Sequence, residues 1–148
     1  SILGGSMSSR LFQEIREKRG LAYTTYAFDS PYSDTGAWGM YAGTAPERAS
    51  EVEKLMQAEL EKLAATGPRE DGLVRVRGQL RGGMALGLED TLSRMSRLGR
   101  AELSGRYFTV DAALARIEAV QAEDVRSLAE ELARRCVFTA EVVPEDRA

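Results

Sequence analysis

Histidine is missing altogether from the 148 residues, and cysteine occurs once, at Cys136. Histidine is the commonest protein metal ligand and the side chain that titrates nearest neutral pH. Its absence excludes a Ser-His-Asp triad, a Cys-His pair and any HExxH or HxxEH zinc helix within this chain. Chemistry done by the chain alone falls to carboxylates, Tyr, Ser, Thr, Lys, Arg or Cys136. A single cysteine cannot close an internal disulfide, which rules out a disulfide scaffold. No apolar run approaches the length of a membrane span. With no signal-peptide pattern either, the expected location is cytoplasmic. An excess of basic charge is also lacking. Twenty Lys and Arg stand against 23 Asp and Glu, a net charge of −3, so no nucleic-acid footprint is expected.

What is present reads as one domain. Its opening, Ser1-Ile2-Leu3 running straight into Gly4-Gly5, predicts a processed or truncated product. Leu11, Phe12 and Ile15 recur with helical spacing after Gly4-Gly5-Ser6. Ser8 or Ser9 is the expected N-cap, and Gly20, following Arg16, Lys18 and Arg19, is the expected stop. Leu21 to Phe28 alternates and is rich in Tyr and Thr, which predicts a strand. Ala37 to Ala42 predicts a second, with Trp38 and Met40 on one face and Tyr41 on the other. The loop Asp29 to Gly36 between them implies an antiparallel pair.

Thr44-Ala45-Pro46-Glu47 has the form of a capping box, with Thr44 as N-cap. It leads into a helical stripe of Val52, Leu55, Met56, Leu60 and Leu63, closed by Thr66-Gly67-Pro68. Further helices are expected from Arg69 to Gly87, from Thr91 (capped by Asp90 or Thr91), from Asp111 to Ala119 and from Ala122 to Arg134. Cys136 to Val143 alternates and predicts a last strand, with Cys136 facing the core. Residues 144–148 read as a polar tail. Strands, a run of helices, then a strand is an α+β order: an antiparallel sheet packed against helices. Three strands are few for so many helices, so at least one strand is expected to be missing upstream of Ser1.

Gly78/Gly82 and Gly83/Gly87 form i, i+4 pairs inside the second long helix. Each helical Gly costs roughly 1 kcal/mol against Ala, and close approach of another helix or of the sheet is the expected compensation. The acidic residues show no metal-ligand spacing. The densest chemical cluster is GGSMSSRLFQEIREKRGLAY, residues 4–23. Arg16 and Tyr23, seven apart across a turn, can together donate hydrogen bonds to a carbonyl or oxyanion. The plainer alternative is a surface ion pair for Arg16 and a sheet-filling Tyr23.

GGSMSSRLFQEIREKRGLAYTTYAF, followed by DTGAWGMYAGTAPE, QLRGGMALGLEDTLSRMSRLGRAEL and GRYFTVDAALARIEAVQAEDVRSLAEE, resembles the C-terminal half of the pitrilysin and mitochondrial-processing-peptidase family of inverzincin metallopeptidases. The likeness points to a bacterial member. It implies a partial second domain, residues 1–148, that lacks zinc ligands and holds a peptide for a zinc site elsewhere. Zinc would then be a cofactor of the parent protein, carried by an N-terminal domain or a homologous subunit.

The resemblance implies that Tyr23 polarises the scissile carbonyl as an auxiliary catalytic residue and that Arg16 anchors the substrate. It likewise implies substrate contact for Gly4, Gly5 and Ser6, against the plainer reading of a tight loop. The function expected is therefore the substrate-binding half of a zinc metalloendopeptidase. The alternative is a non-catalytic assembly or peptide-binding subunit of the same family. The expected partners are a peptide, the zinc-binding domain or subunit and, across an exposed sheet edge, a second copy as a homodimer.

Overall fold

A computed structural model describes residues 1–135 and 138–144. The predicted hairpin is present but longer than the alternation suggests. Strand β1 spans Ala22–Pro31 and β2 spans Gly36–Thr44. They pair antiparallel through Tyr26↔Tyr41 and Phe28↔Gly39. The Tyr32 N–H donates to Thr35 O at 2.9 Å and closes the connection. After a 3-10 turn at Pro46–Arg48 come α1 (Ala49–Thr66), α2 (Glu70–Glu89), α3 (Thr91–Ser104), α4 (Val110–Ala119) and α5 (Ala122–Arg134). The α+β class follows, with one two-stranded sheet among the described residues.

The core forms where the stripe of α1 meets the N-terminal segment, the sheet and α5. Leu11 and Ile15 are fully buried, with Val52, Leu60 and Leu63 of α1 and Ala129 of α5 against them. The periodicity that predicts α1 is thus the face it buries. Asp90 caps α3 by accepting the Ser93 N–H at 2.7 Å, and the Ser93 hydrogen bonds hold its carboxyl below the usual carboxylate range.

Four local expectations are corrected. Neither Ser8 nor Ser9 caps the first helix. The Arg10 and Leu11 N–H groups donate to Ile2 O (3.1 Å) and Leu3 O (2.9 Å), so the preceding backbone satisfies the free donors. That helix winds as a π-helix over Phe12–Glu17. Thr44 does not cap a helix: it ends β2, and its hydroxyl donates to Leu21 O. Finally, Phe138 to Pro144 form no strand. Phe138 and Val142 stand exposed, and Thr139 donates to Glu53 Oε1 at 2.6 Å. A strand needs a hydrogen-bonded neighbour, and none of the described residues offers one there. Cys136 lies outside the described residues.

The glycines of α2 also differ from expectation. A Cβ at Gly78, Gly82, Gly83 or Gly87 would meet nothing within 4 Å. Helix α2 buries only Leu73, and α3 and α4 bury no residue. Polar contacts instead tie these helices together, such as Arg97 to Phe108 O at 3.1 Å and Arg81 to Glu118 at 3.4 Å.

Candidate functional site: the turn between the first helix and β1

The chain reverses between Arg16 and Tyr23, and hydrogen bonds hold the backbone of that reversal at Gly20 and Leu21. Gly20 takes φ +60°, a conformation open to Gly without the penalty a side chain pays. Its N–H donates to Arg16 O at 3.0 Å, and the Leu21 N–H donates to Ile15 O at 2.9 Å. This is the Schellman pattern enlarged by one residue, as the wider π winding requires. Two side chains hold the carbonyls on the far side: Arg48 Nη1 donates to Gly20 O at 2.8 Å, and the Thr44 hydroxyl donates to Leu21 O. Residues 44 and 48 thus fix the entry into β1.

Tyr23 follows at once, and the strand register slips there. Ala22 pairs with Thr44 and Thr24 with Gly43, which leaves Tyr23 as the extra residue of a β-bulge. Ala22 and Thr25 are buried while Tyr23 and Thr24 between them are exposed. The bulge therefore aims two successive side chains outward, and Tyr23 is 88% exposed. Bulges re-aim side chains in this way and are over-represented beside active sites.

Arg16 is also exposed, with its guanidinium 4.9 Å from the centroid of the Phe12 ring. Among the described residues neither Arg16 nor Tyr23 makes a side-chain hydrogen bond or ion pair. Their polar heads stay open to solvent, in contrast to the plainer ion-pair reading of Arg16. Other charges on the same helix are paired. Glu14 accepts from Lys18 and, at 2.7 Å, from Arg19. Those bonds, the Lys18 one foremost, lower its carboxyl from 4.5 to about 2.

Gly4 is buried against β1. A Cβ there would lie 2.3 Å from Ala27 N, and Gly4 O accepts the Ala27 N–H at 3.0 Å. The Gly5 N–H is committed to Ser1 O at 3.0 Å. Ser6 shares a hydrogen bond with Ser8 at 3.1 Å and borders an open cleft between the N-terminal segment and the α1–α2 connection. That cleft includes neither Arg16 nor Tyr23. The loop and the Arg16–Tyr23 turn therefore present two separate surfaces.

No three His, Cys, Asp or Glu side chains gather among the described residues where they could hold a metal ion. With no histidine in the sequence, the donor set of this chain does not fit a zinc site.

Sequence reasoning missed the bulge and the carbonyl-holding roles of Thr44 and Arg48. Residue type gave no signal for the bulge: the buried Thr25 and the exposed Thr24 are the same residue, and only their burial tells them apart.

The sequence pattern described as the peptidase M16 inactive domain matches residues 1–80. An uncharacterized zinc protease of Streptomyces coelicolor is 48% identical over 134 residues, covering 90% of this chain and 29% of that protein. One from Bacillus subtilis is 40% identical over 133 residues, covering 89% of this chain and 32% of its own length. The chain thus spans less than a third of these relatives. Among solved structures, a peptidase M16 inactive domain from Pseudomonas fluorescens superposes with a TM-score of 0.79 at 23% identity, over 88% of this chain and 31% of that one. A protease from Helicobacter pylori superposes with a TM-score of 0.81 at 20% identity, over 88% of this chain and 32% of that one. These two likenesses bear on the fold. The sequence match over more than half of its length makes this chain a member of the peptidase M16 family, part of its inactive domain.

Proposed function

We propose that this chain is the substrate-holding half of a zinc-dependent metalloendopeptidase that acts on peptides or unfolded segments. The zinc would be carried by an N-terminal domain or a partner subunit. The observation that carries the reading is the bulge at Tyr23. A phenol with no hydrogen-bond partner among the described residues is held outward at a position fixed by Gly20, Thr44 and Arg48. In this role the Tyr23 O–H donates to the carbonyl oxygen of the bond to be cut, where negative charge grows as the bond is attacked. Arg16 anchors the peptide through a main-chain carbonyl or a carboxylate. Ser6, with Gly4 and Gly5 behind it, adds a substrate contact along the loop beside β1.

Two findings support this division of labour. Relatives 40–48% identical to the chain over 133–134 aligned residues are named uncharacterized zinc proteases, and the donor set here does not fit zinc. The reading predicts that the 148 residues alone neither bind zinc tightly nor cleave peptides. Titration with zinc followed by calorimetry, and hydrolysis of a fluorogenic peptide with and without chelator, check both parts. Chelator-sensitive hydrolysis by the purified chain would overturn the reading.

A further inference from the structure

Among the described residues Arg16 is held by a ring and by no acid. Its guanidinium carbon lies 4.9 Å from the centroid of the Phe12 ring, one turn back on the same helix. A cation–π attraction reaches to about 6 Å. The helix that carries both residues is anchored on its inner side, where Leu11 and Ile15 are fully buried. Phe12 itself is partly buried beside them. Both partners of the contact belong to one helical turn, so it needs nothing from the rest of the parent protein.

The carboxylate two residues before Arg16 is already taken. Glu14 accepts from Lys18 and, at 2.7 Å, from Arg19 Nη1. The same Arg19 nitrogen donates to Glu14 O at 2.7 Å, which ties that acid and its partner to the helix backbone. The difference matters for what Arg16 has left to offer. A bidentate ion pair uses two of the five N–H donors of a guanidinium. A ring attracts the charge and uses none. Arg16 therefore keeps its whole fork for a carbonyl or a carboxylate, while the ring restricts its rotamers before a peptide arrives. Ordering a long side chain on binding costs affinity, and a side chain ordered in advance costs less.

We propose that Phe12 is a positioning residue: its ring holds the Arg16 guanidinium in the pose that anchors the peptide and leaves every donor free to do so. This rests on the reading of Arg16 as the substrate anchor.

The test uses the full-length protein, a fluorogenic peptide that it cleaves and a reduced-bond, uncleavable copy of that peptide. Binding of the uncleavable copy is read by fluorescence anisotropy. Phe12→Leu keeps apolar bulk and removes the π face. It is expected to weaken binding about two- to fivefold, the fold-change of an exposed cation–π contact, with kcat on the cleaved peptide little changed. Phe12→Tyr restores a π face and should restore binding. Phe12→Met is a second ringless filler, which guards against a packing fault peculiar to leucine. In an Arg16→Gln background Phe12→Leu should weaken binding no further, because the ring acts only through the guanidinium. Natural binding by both Phe12→Leu and Phe12→Met, or a Phe12→Leu loss that persists in full beside Arg16→Gln, would overturn the proposal. The underlying reading fails separately, when Arg16→Gln alone leaves binding of the peptide unchanged.

Discussion

Gly4→Ala should destabilise the fold rather than merely weaken a substrate contact. The new methyl carbon would stand 2.3 Å from Ala27 N, 2.8 Å from Tyr26 C and 2.9 Å from Ala27 Cβ. Two of those atoms are strand backbone, so no side chain can swing away. The segment must lift off β1, and the Gly4 O to Ala27 N–H bond of 3.0 Å goes with it. Overpacking of this kind costs about 1–3 kcal/mol, and the lost hydrogen bond about 1 kcal/mol more. If residues 1–4 peel further, the buried Leu3 and the Ile2 and Leu3 carbonyls that satisfy Arg10 and Leu11 are also put at risk. A loss near 3 kcal/mol, with an m-value of about 2 kcal/mol per molar, lowers the urea midpoint by about 1.5 M. Gly83→Ala in the 148-residue chain is the matched control. Its methyl meets nothing within 4 Å, so α2 should gain about 1 kcal/mol. A Gly4→Ala protein with an unchanged midpoint and weakened peptide binding would refute the packing argument and make Gly4 a ligand contact.

Glu14 supplies a pH signature. Its carboxyl is lowered from 4.5 to about 2 by Lys18 and then Arg19, so the folded state favours the ionised form. That stabilisation is complete above the ordinary value and disappears as the pH falls through about 2. The difference in urea midpoint between the natural protein and Glu14→Gln should hold above pH 5 and close toward pH 2; a constant difference would contradict the assignment. Arg10 Nε meets the buried Glu59 at 3.0 Å, with Lys62 at 3.6 Å as a weaker second partner. Arg10→Ala should therefore cost about 2 kcal/mol in thermal unfolding. Arg10→Met/Glu59→Leu should recover much of it, because no buried charge is then left unpaired.

Periodic elements were legible from the sequence. The stripe from Val52 to Leu63 is the buried face of α1, and the α5 boundaries agree with the structure at both ends. Local patterns failed where tertiary contacts competed for the same group. Thr44 has the spacing of an N-cap, whose oxygen would accept a helix N–H, yet hairpin pairing carries it into the end of β2, where its hydroxyl donates to Leu21 O. The Ser8 and Ser9 cap signal lost to the carbonyls of Ile2 and Leu3, brought in by the docking of Gly4 on β1. Cys136 to Val143 alternates like a strand, but among the described residues Phe138 to Val143 have no strand to pair with. At the site, the spacing of Arg16 and Tyr23 also suited a plain surface and sheet-filling role, and the family resemblance is what gave them a functional one. What singles out Tyr23 physically is the bulge, which depends on how β1 registers against β2 and has no counterpart in residue type.

The central claim, that Tyr23 reaches the reacting carbonyl, is tested most directly by steady-state kinetics of Tyr23→Phe in the full-length protein. The substitution keeps the exposed ring and removes only the donor. An interaction made mainly in the transition state predicts a kcat lower by roughly a hundredfold, with KM little changed. Equal kcat values for Tyr23→Phe and the natural protein would contradict it.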